Sequence, residues 1–547
     1  MFNAEGVDRG TEPERTPGMS EKIFAPELFR PHIDFPDVPY DYHVRAAADR
    51  FPDRVAMVYQ NMVFSYREIV SMINSIANGL HDLGLRKGDR LCLYMSNRPE
   101  YTITFIAATS LGIVVSPMNP GYKEREVAYQ IENSEAKAIM LQSSLVPTLQ
   151  SALQQKAQPN LKHFLVTGEK ASESMPEAIT FASLMRGSSS QRHPQVAIRG
   201  DDMAALPYSS GTTGFPKGVI LTHRNLGVNN LQFLTALRLS EADVALNFLP
   251  FYHIYGVMLT GGFLAGGGTQ VIMERFDLLQ SLELCERYKV TYYFAVPPVV
   301  LALANAQVDL SKLKTVKFIF SGAAPLPAGP SLKLQEKTGV TVVQGYGLTE
   351  ASPLTHAQPF PLMRLESIGI PIHNTEQKIM DIETGTRELP LGEDGEIVLR
   401  GPQVMTGYWK APEETARALR DGWLYTGDIG HADEEGFTYI VDRKKEMIKY
   451  KGFGVAPAEI EALLLEHPAV MDSAVIGIPD DEAGEVIKGL VVIREGHNVT
   501  PEDIVTFANG KLAGYKRVHH VEFIAVIPKT ASGKILRREL KEREKTL

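Results

Sequence analysis

The sequence predicts an α/β protein with a large N-terminal domain of layered sheets and helices and a small α+β C-terminal domain. The chain has 547 residues, more than one compact core usually encloses, so at least two domains are expected. From about Asp41 to Val300, amphipathic stretches alternate with short apolar runs, which indicates helices layered on largely parallel strands. Near Asp421 the pattern changes to short β-rich runs between turns.

Several elements of the larger domain follow from periodicity. The amphipathic stretch from Tyr66 to Leu85 predicts a helix, and the apolar run from Arg90 to Met95 predicts a buried strand. Polar residues, Gly and Pro interrupt the uncharged run from Tyr101 to Tyr122, so a buried helix and strand are favoured over a membrane span. The Ser-rich stretch from Ser183 to His193 is expected to be a loop.

Turn signals mark the passage to the second domain. Gly-containing turns at 421–422 and 435–436 flank β-rich runs, and the very polar segment DRKKE follows. The expected boundaries are a flexible leader over 1–25, an N-terminal domain over 26–441, a hinge over 442–446 and a C-terminal domain over 447–547.

The C-terminal region predicts its own helices and strands. Pro457 begins an amphipathic helix that ends before Pro468. The segment from Thr500 to Asp503 resembles a capping box for a second helix. Three apolar runs predict strands, at Ala474 to Ile478, Leu490 to Ile493 and Val521 to Ile527.

Composition limits the function classes. The net charge is −9 and the pI is near 5.9, so general attraction to nucleic acid or anionic lipid is not expected, although a local basic patch or peripheral membrane contact stays open. Cys92 and Cys285 are too few for a disulfide framework or a Cys-rich metal site and fit a reducing compartment. The first twenty residues lack the apolar stretch of a secretory signal. We expect a cytoplasmic protein.

The segment YSSGTTGFPKGVILTH, from Tyr208 to His223, has the composition of a polyphosphate-binding loop. Its glycines let backbone N–H groups approach phosphate oxygens, while its hydroxyls add donors and its lysine adds a cation. The spacing differs from that of the P-loop NTPases, which implies a different fold. An ordinary solvated turn has a similar composition. The candidate phosphate-binding residues are Ser209, Ser210, Gly211, Thr212, Thr213, Gly214 and Lys217.

This segment resembles the nucleotide-binding signature of the adenylate-forming superfamily, which contains acyl-CoA synthetases, aryl-CoA ligases, firefly luciferase and peptide-synthetase adenylation domains. Six further segments resemble the family's motifs in the same order, so the resemblance spans about residues 40 to 540. They are LPFYHIYG from 249, SGAAPL from 321, QGYGLTE from 344, GWLYTGD from 422, DRKKEMIKYKGFGVAP from 442 and PKTASGKILRREL from 528. The resemblance implies a distorted β-barrel subdomain and a mobile smaller domain.

The resemblance implies a set of nucleotide-binding residues. Tyr346 would stack on adenine, Thr349 would contact phosphate and Glu350 would hold Mg²⁺, as suits an aromatic face and a hard carboxylate. Asp428 and Arg443 would bind the ribose. Taken alone, Glu350 would more often be a solvated or helix-capping carboxylate, and Arg443 could equally be one member of the solvated charge run DRKKE. Further residues implied at the nucleotide are Ala323, Gln344, Gly345 and Gly347.

Lys534 is implied as the catalytic residue of the first half-reaction, where it would reach the acid's carboxylate and the α-phosphate. Neutralising charge at phosphorus is the main catalytic need there, although a lone lysine is usually solvent-facing. His253 is expected near the acid as a gate or orienting group rather than a general base, with a purely structural role as the alternative. The acid pocket is expected to include His253, Tyr255, Gly256, Ala323, Gly347 and Ala351.

The segment KYKGFG is implied in the second half-reaction. This face of the smaller domain would rotate toward the site after adenylation, with Gly452 bordering the pantetheine tunnel and Lys449 and Lys451 aiding thioester formation. Lys445 matches the hinge position of the family. Arg275 is implied at a CoA phosphate, on a weaker pattern.

These residues together predict an ATP-dependent carboxylic acid:CoA ligase. The acid and Mg·ATP would give acyl-AMP and pyrophosphate, and coenzyme A would then give acyl-CoA and AMP. No residue needs to become a covalent nucleophile, because the adenylate carries the activation. The expected protein is a monomer or homodimer that binds small molecules and no nucleic acid.

The acid itself is less sharply indicated. SIGIPIHNTEQKI, from Ser367, and GPQVMTGYWKAPEET, from Gly401, resemble bacterial ligases for medium- or long-chain fatty acids. IKYKGFGVAP instead resembles the 4-coumarate ligase and luciferase branch. A fatty acid is favoured, with an aryl-propenoic acid second. A luciferase, an acyl-AMP ligase that feeds a carrier protein and a non-catalytic sensor are the remoter alternatives.

Overall fold

A computed structural model describes residues 31–168, 173, 175–187, 193–209, 216–451, 453–480, 482–530 and 533–545. The helices are α1 Tyr42–Arg50, α2 Tyr66–Asp82, α3 Pro99–Thr109, α4 Glu124–Ser134, α5 Val146–Gln155, α6 Phe181–Gly187, α7 His223–Ala236, α8 Ile254–Gly266, α9 Leu278–Tyr288, α10 Pro297–Asn305, α11 Ala328–Thr338, α12 Pro412–Ala418, α13 Pro457–Leu465, α14 Pro501–Asn509 and α15 Arg537–Glu544.

The strands, in chain order, are β1 Val55–Tyr59, β2 Met62–Ser65, β3 Arg90–Tyr94, β4 Val114–Met118, β5 Ala138–Gln142, β6 His163–Thr167, β7 Ile179–Thr180, β8 Met203–Ala205, β9 Tyr208–Ser209, β10 Lys217–Thr222, β11 Val244–Asn247, β12 Thr269–Ile272, β13 Tyr292–Ala295, β14 Phe318–Ser321, β15 Thr341–Gln344, β16 Tyr346–Gly347, β17 Leu354–Ala357, β18 Ile370–Pro371, β19 Glu376–Met380, β20 Gly395–Arg400, β21 Gly407–Tyr408, β22 Leu419–Arg420, β23 Trp423–Ala432, β24 Thr438–Arg443, β25 Ile448–Tyr450, β26 Phe453–Val455, β27 Val470–Asp480, β28 Gly484–Ile493 and β29 Val518–Phe523.

Two mostly parallel sheets form the larger domain. The first has the order β15-β14-β13-β11-β12-β1-β2, and the second has the order β21-β10-β8-β4-β3-β5-β6-β7, with β9 paired to β10. All neighbouring pairs from β15 to β1 and from β8 to β7 are parallel. Leu93 of β3, Ile103 of α3 and Val257 of α8 share one buried core. The predicted α/β alternation is confirmed.

Local signals explain where several elements begin. Ser65 accepts a hydrogen bond from Glu68 N and completes a capping box at α2. Helix α3 begins at Pro99, is buried along its length and is followed by β4, so the long uncharged run is a helix and a strand as predicted. Among the described residues, no helix is both long enough and apolar enough to cross a bilayer.

Three smaller sheets follow. β16-β17-β18 forms one, and β19-β20-β23-β22 with β24 beside β23 forms another. β24 ends at Arg443, and β25 opens the sheet of the smaller domain at Ile448. Asp442 and Arg443, two of the predicted hinge residues, therefore lie within β24, and only residues 444–447 separate the two sheets.

The smaller domain is a five-stranded sheet with three helices. Its order is β26-β25-β28-β27, and β29 lies parallel to β28. Helices α13 and α15 pack on β27, and α14 packs on β29. As predicted, Pro457 lies at the first turn of α13, and Thr500 with Asp503 caps α14.

Two predicted elements were wrong in part. The expected loop from Ser183 is helical as far as Gly187, because Thr180 Oγ1 accepts a hydrogen bond from Ser183 N and starts α6. The strand predicted from Val521 to Ile527 runs instead from Val518 to Phe523, as β29. Its ends are set by its pairing with β28 rather than by the apolar run. The expected leader over 1–25 lies outside the described residues.

Candidate active site

The candidate active site lies at the carboxyl ends of the parallel strands β11 to β15. The chain reaches His253 after β11, Ala323 after β14 and Tyr346 after β15. Neighbouring parallel strands end at the same edge of a sheet, and open α/β sheets bind ligands there. Three motifs that are far apart in sequence therefore meet at this edge.

Gln344 ties two of these motifs together. Its Oε1 accepts a hydrogen bond from Leu326 N at 2.9 Å, and its Nε2 donates to Leu365 O at 2.9 Å. Gly345 N donates to Ser321 O at 3.0 Å. These bonds fix the position of the loop after β14 relative to the loop after β15.

Tyr346, Asp428 and Arg443 form one bonded group. Tyr346 Oη donates to Asp428 Oδ2 at 2.5 Å, and Arg443 Nε lies 2.8 Å from Asp428 Oδ1. Asp428 is only 3% exposed and faces Arg443 across the β23–β24 pair. Burial and the adjacent carboxylate raise the pKa of Tyr346 well above its usual range, so the phenol remains a donor. Each carboxylate oxygen can accept more than one hydrogen bond, so Asp428 keeps capacity for a ligand hydroxyl.

Lys534 reaches this group from the smaller domain. Gly533 has φ +84 and lies so close to α10 that an added Cβ would be 2.7 Å from Pro298 Cδ. Burial, and then the positive charges of Arg443 and Lys445, lower the pKa of Lys534 to about 8. The loop that carries Lys534 therefore contacts the larger domain and brings a cation to its site.

His253 lies at the N-terminus of α8. Its Nδ1 accepts a hydrogen bond from Tyr255 N at 3.2 Å. Burial, followed by the ammonium of Lys534, lowers the pKa of His253 to about 4. The ring is therefore neutral near pH 7, and with Nδ1 as acceptor it carries its proton on Nε2.

The glycine at 322 adjoins the buried ring of Tyr255. A Cβ added to Gly322 would lie 3.2 Å from Tyr255 Cε1, and Tyr255 Oη donates to Phe320 O at 3.4 Å. Ala323 follows in the left-handed region, with φ +72. Ala351 is fully buried. Tyr255 itself packs in a hydrophobic core that includes Phe320 and Val296.

Two predicted pocket glycines are packed against backbone. A Cβ at Gly347 would lie 2.2 Å from Pro353 O, and one at Gly256 would lie 2.2 Å from Pro250 O. No side chain fits at either position without a backbone shift. In this structure both glycines permit close chain packing.

Lys217 and Glu350 both bond to the segment around β21. Lys217 Nζ lies 2.5 Å from Glu414 Oε2. Tyr408 Oη donates to Glu350 Oε1 at 2.8 Å, and Thr349 precedes Glu350 in the same short turn. Among the described residues no group of three or more His, Cys, Asp or Glu could hold a metal. Mg²⁺ is commonly bound by one or two carboxylates together with substrate phosphates and water, and Glu350 could supply one such carboxylate.

The other predicted site residues fall in three places. Ser209 lies in β9 opposite Lys217. Lys449 and Lys451 are exposed on the β25–β26 hairpin, and Lys445 is exposed between β24 and β25. The remainder lie outside the described residues, namely Ser210, Gly211, Thr212, Thr213, Gly214 and Gly452.

A cavity of about 410 Å³ opens beside the loop that carries His253. Arg275 lines it, together with Tyr252, Glu274 and Val299. Val299 belongs to α10, whose Pro298 contacts the Lys534 loop. The cavity therefore adjoins the place where the two domains meet.

The sequence interpretation missed Tyr408, Glu414 and Pro298. The first two stand in GPQVMTGYWKAPEET, a segment used only to judge the acid. Their contacts depend on the pairing of β21 with β10, which joins parts of the chain almost two hundred residues apart. A tyrosine or glutamate after a turn has no pattern that would have revealed this.

Comparison with known proteins supplies the family. Residues 44–409 match the AMP-binding enzyme family, and residues 459–534 match the AMP-binding enzyme C-terminal domain. The chain is 38% identical over 546 residues to 4-coumarate-CoA ligase 1 of Narcissus pseudonarcissus, covering 96% of this chain and 97% of that protein. It is 36% identical over 526 residues to the long-chain-fatty-acid–CoA ligase of Bacillus subtilis (strain 168), covering 91% and 93%.

A solved structure agrees with these relatives. ATP-bound MatB from Rhodopseudomonas palustris matches with a TM-score of 0.86 at 28% identity, covering 93% of this chain and 99% of that one. The chain therefore belongs to the adenylate-forming family of AMP-binding enzymes. Within that family it groups with the acid:CoA ligases, enzymes that form a carbon–sulfur bond.

Proposed function

We propose that this protein is an ATP-dependent ligase that joins a medium- to long-chain fatty acid to coenzyme A through an acyl-AMP. The observation that carries the proposal is the Lys534 loop of the smaller domain, which rests on Pro298 near Arg443 and Asp428. A carboxylate and a triphosphate, both anions, must meet in the first step, and a cation brought to them lowers that barrier.

In this proposal the bonded group of the larger domain holds the nucleoside. Asp428 and Arg443 bind the ribose hydroxyls, and Tyr346 packs its ring on the adenine. The hydrogen bond from Tyr346 to Asp428 fixes the ring before the nucleotide arrives. Such preorganisation reduces the ordering cost of binding.

The charged residues then act on the triphosphate of the substrate Mg·ATP. Lys217 holds its phosphates together with the neighbouring small-residue loop, and Glu350 contacts its cation. Lys534 neutralises charge at the α-phosphate as the acid attacks and pyrophosphate leaves. His253, neutral at pH 7, orients the acid with its Nε2 hydrogen.

The second step is proposed to use another face of the smaller domain. Lys449 and Lys451 lie exposed on their hairpin while the Lys534 loop contacts the larger domain. A rotation about residues 444–447, with Lys445 as the hinge, would exchange these two segments. The cavity lined by Arg275 supplies room and a positive charge for part of coenzyme A.

The apolar surroundings of Tyr255 support a fatty acid, as does the Bacillus subtilis relative. A 4-coumarate-like aryl acid is the second candidate. The Narcissus relative favours it, and the hydrogen bond of Tyr255 Oη is long at 3.4 Å, so a phenol could compete for that hydroxyl.

The test measures pyrophosphate release from ATP over acids from acetate to palmitate and 4-coumarate, with and without coenzyme A, and identifies the thioester product. We expect magnesium-dependent release with its maximum at a medium or long chain. A maximum at 4-coumarate would show that the substrate is an aryl acid rather than a fatty acid, and the proposed ligase activity would stand. If the protein forms acyl-AMP but no acyl-CoA, or turns over none of the acids, the proposed CoA ligase activity is wrong.

A further inference from the structure

One short segment of the larger domain is bonded to the strand that follows the phosphate-loop sequence. β21 pairs antiparallel with β10, where Tyr408 lies opposite Val219. Trp409 N donates to Gly218 O at 2.8 Å, and Thr406 N donates to Ile220 O at 3.2 Å. This segment, residues 405–415, is therefore held in fixed register beside Lys217.

The same segment is also fixed to its own helix and to the turn that carries Glu350. Thr415 Oγ1 accepts a hydrogen bond from Tyr408 N at 2.9 Å, which folds α12 back over β21. Met405 N donates to Glu350 O at 2.8 Å. Backbone bonds thus connect segment 405–415 to Glu350 and to Gly218, the residue next to Lys217.

Two side chains of segment 405–415 then contact those charges directly. Glu414 Oε2 lies 2.5 Å from Lys217 Nζ. Tyr408 Oη donates to Glu350 Oε1 at 2.8 Å, and Lys217 Nζ lies 5.5 Å from the centre of the Tyr408 ring. One segment therefore contacts a cation and an anion that come from distant parts of the sequence.

We infer that Glu414 and Tyr408 are positioning residues for adenylation, with Glu414 orienting Lys217 and Tyr408 orienting Glu350. The inference rests on the proposed function and assigns roles to two residues that do not themselves need to touch the substrate.

Both contacts would preorganise the site before the nucleotide binds. A lysine ammonium sits on a flexible stem with large rotamer entropy, so a carboxylate that holds it reduces the ordering left for the nucleotide. Glu414 is 34% exposed, and a solvent-screened ion pair contributes little to folding, so its main effect is on geometry. The Tyr408 hydroxyl donates to Glu350 Oε1 and thereby restricts the rotation of that carboxylate.

The test for Glu414 is a double-mutant cycle on pyrophosphate release. Glu414→Gln should lower kcat/KM for ATP about tenfold, the size expected for one charge-assisted hydrogen bond. In a Lys217→Ala background, Glu414→Gln should lower kcat/KM for ATP by less than about twofold, because the ammonium that Glu414 orients is then absent. Glu413→Gln is the matched control, since Glu413 is the preceding residue of α12 and its side chain is 87% exposed.

The test for Tyr408 uses the magnesium dependence of the same reaction. Tyr408→Phe should raise the Mg²⁺ concentration for half-maximal rate about threefold to tenfold through loss of one hydrogen bond to a charged group. The shift should vanish in a Glu350→Gln background. Both variants should still form thioester from supplied acyl-AMP and free coenzyme A, which shows that they fold.

The outcomes separate the inference from the function on which it rests. If the unmodified protein releases no pyrophosphate with any acid, the proposed function fails. If the protein is active but Glu414→Gln lowers kcat/KM by the same factor with and without Lys217, Glu414 does not act through Lys217 and the inference is overturned. An unchanged magnesium requirement in Tyr408→Phe overturns the inference for Tyr408.

Discussion

The charges around Lys534 govern what this side chain can do. Burial lowers the pKa of Lys534 most, Arg443 and Lys445 lower it further, and Glu446 and Asp428 partly oppose them. Without a polyphosphate, this group of charges favours the loss of the Lys534 proton. A bound triphosphate would reverse that preference, because nearby negative charge stabilises the ammonium.

Lys534→Ala should separate the two half-reactions. Pyrophosphate release should fall by about 10²–10³, as when one preorganised stabilising group is removed from a transition state. Thioester formation from supplied acyl-AMP should be nearly unchanged, because no phosphoryl charge then has to be neutralised by this lysine. Lys541→Ala in α15 is the control, since its ammonium lies 3.6 Å from Glu485 in a half-exposed pair within the smaller domain. Equal loss of both half-reactions would contradict the role given to Lys534.

The lowered pKa of Lys534 also predicts a pH dependence. The active form is the protonated one, so kcat/KM for ATP, which reports the free enzyme, should fall as pH rises through about 8. Lys534→Arg keeps its charge over this range, and whatever activity it retains should not show that fall. Initial rates of pyrophosphate release from pH 6.5 to 9.5 measure this. The same alkaline fall in the arginine variant would assign the titration to another group.

At the level of secondary-structure elements, the loop between Pro528 and Leu536 matters most. Thr530 N donates to Lys534 O at 2.8 Å, and Lys534 N donates to Thr530 Oγ1 at 3.1 Å. These bonds bring Thr530 and Lys534 together, and glycine at 533 has the positive φ that allows its close approach to Pro298. The position of Lys534 therefore depends on this contact between the two domains.

Gly533→Ala should lower adenylation without altering the core of either domain. The new Cβ would meet Pro298 Cδ at 2.7 Å in a conformation that L residues rarely adopt, so the loop should withdraw and pyrophosphate release should drop about tenfold or more. Adding Pro298→Ala should recover part of the lost pyrophosphate release, because it removes the clash with the new Cβ. The backbone strain at position 533 would remain. Single-turnover assays of acyl-AMP formation follow both variants. No recovery in the double variant would show that the contact with Pro298 is unimportant.

For the whole molecule, the central feature is the orientation of the two domains. Asp442 belongs to β24 of the larger domain, yet its buried carboxylate accepts a hydrogen bond from Ala458 N of α13 at 2.9 Å. This bond spans the segment between the two sheets. A rotation of the smaller domain about residues 444–447 would break it, so Asp442 stabilises the orientation in which Lys534 reaches the site.

Asp442→Ala should therefore shift the balance between the orientations. Adenylation should slow about threefold to tenfold, the effect of one hydrogen bond, while thioester formation from acyl-AMP should be unchanged or faster. The control is Thr500→Ala, which removes a helix cap wholly inside the smaller domain. It should cost about 1 kcal/mol of that domain's stability and leave the ratio of the half-reactions unchanged. Equal slowing of both steps by Asp442→Ala would argue against an orientation effect.

Features that depend on a few neighbouring residues could be predicted from the sequence. The cap at Thr500, the start of α13 at Pro457 and the helix and strand after Pro99 follow from contacts within one or two turns. Where long-range pairing decides, prediction was weaker. Pairing with β28 places the strand expected from Val521 at Val518–Phe523 instead. The hydrogen bond of Thr180 to Ser183 N begins a helix where a loop was expected.

The ordered motifs were enough to establish the fold class and the family, because those properties depend on residue types at fixed spacing. The resemblance also implied separate roles for Tyr346 at adenine, Asp428 at the ribose and Lys534 at the α-phosphate. The approach of Lys534 to Pro298, and the bonds of Tyr408 and Glu414 to Glu350 and Lys217, could be found only in the folded chain. The physical reason is that these contacts join parts of the chain that are not neighbours in sequence, 58 residues apart for Tyr408 and Glu350 and 197 for Lys217 and Glu414. Such contacts depend on sheet order and domain packing rather than on local sequence.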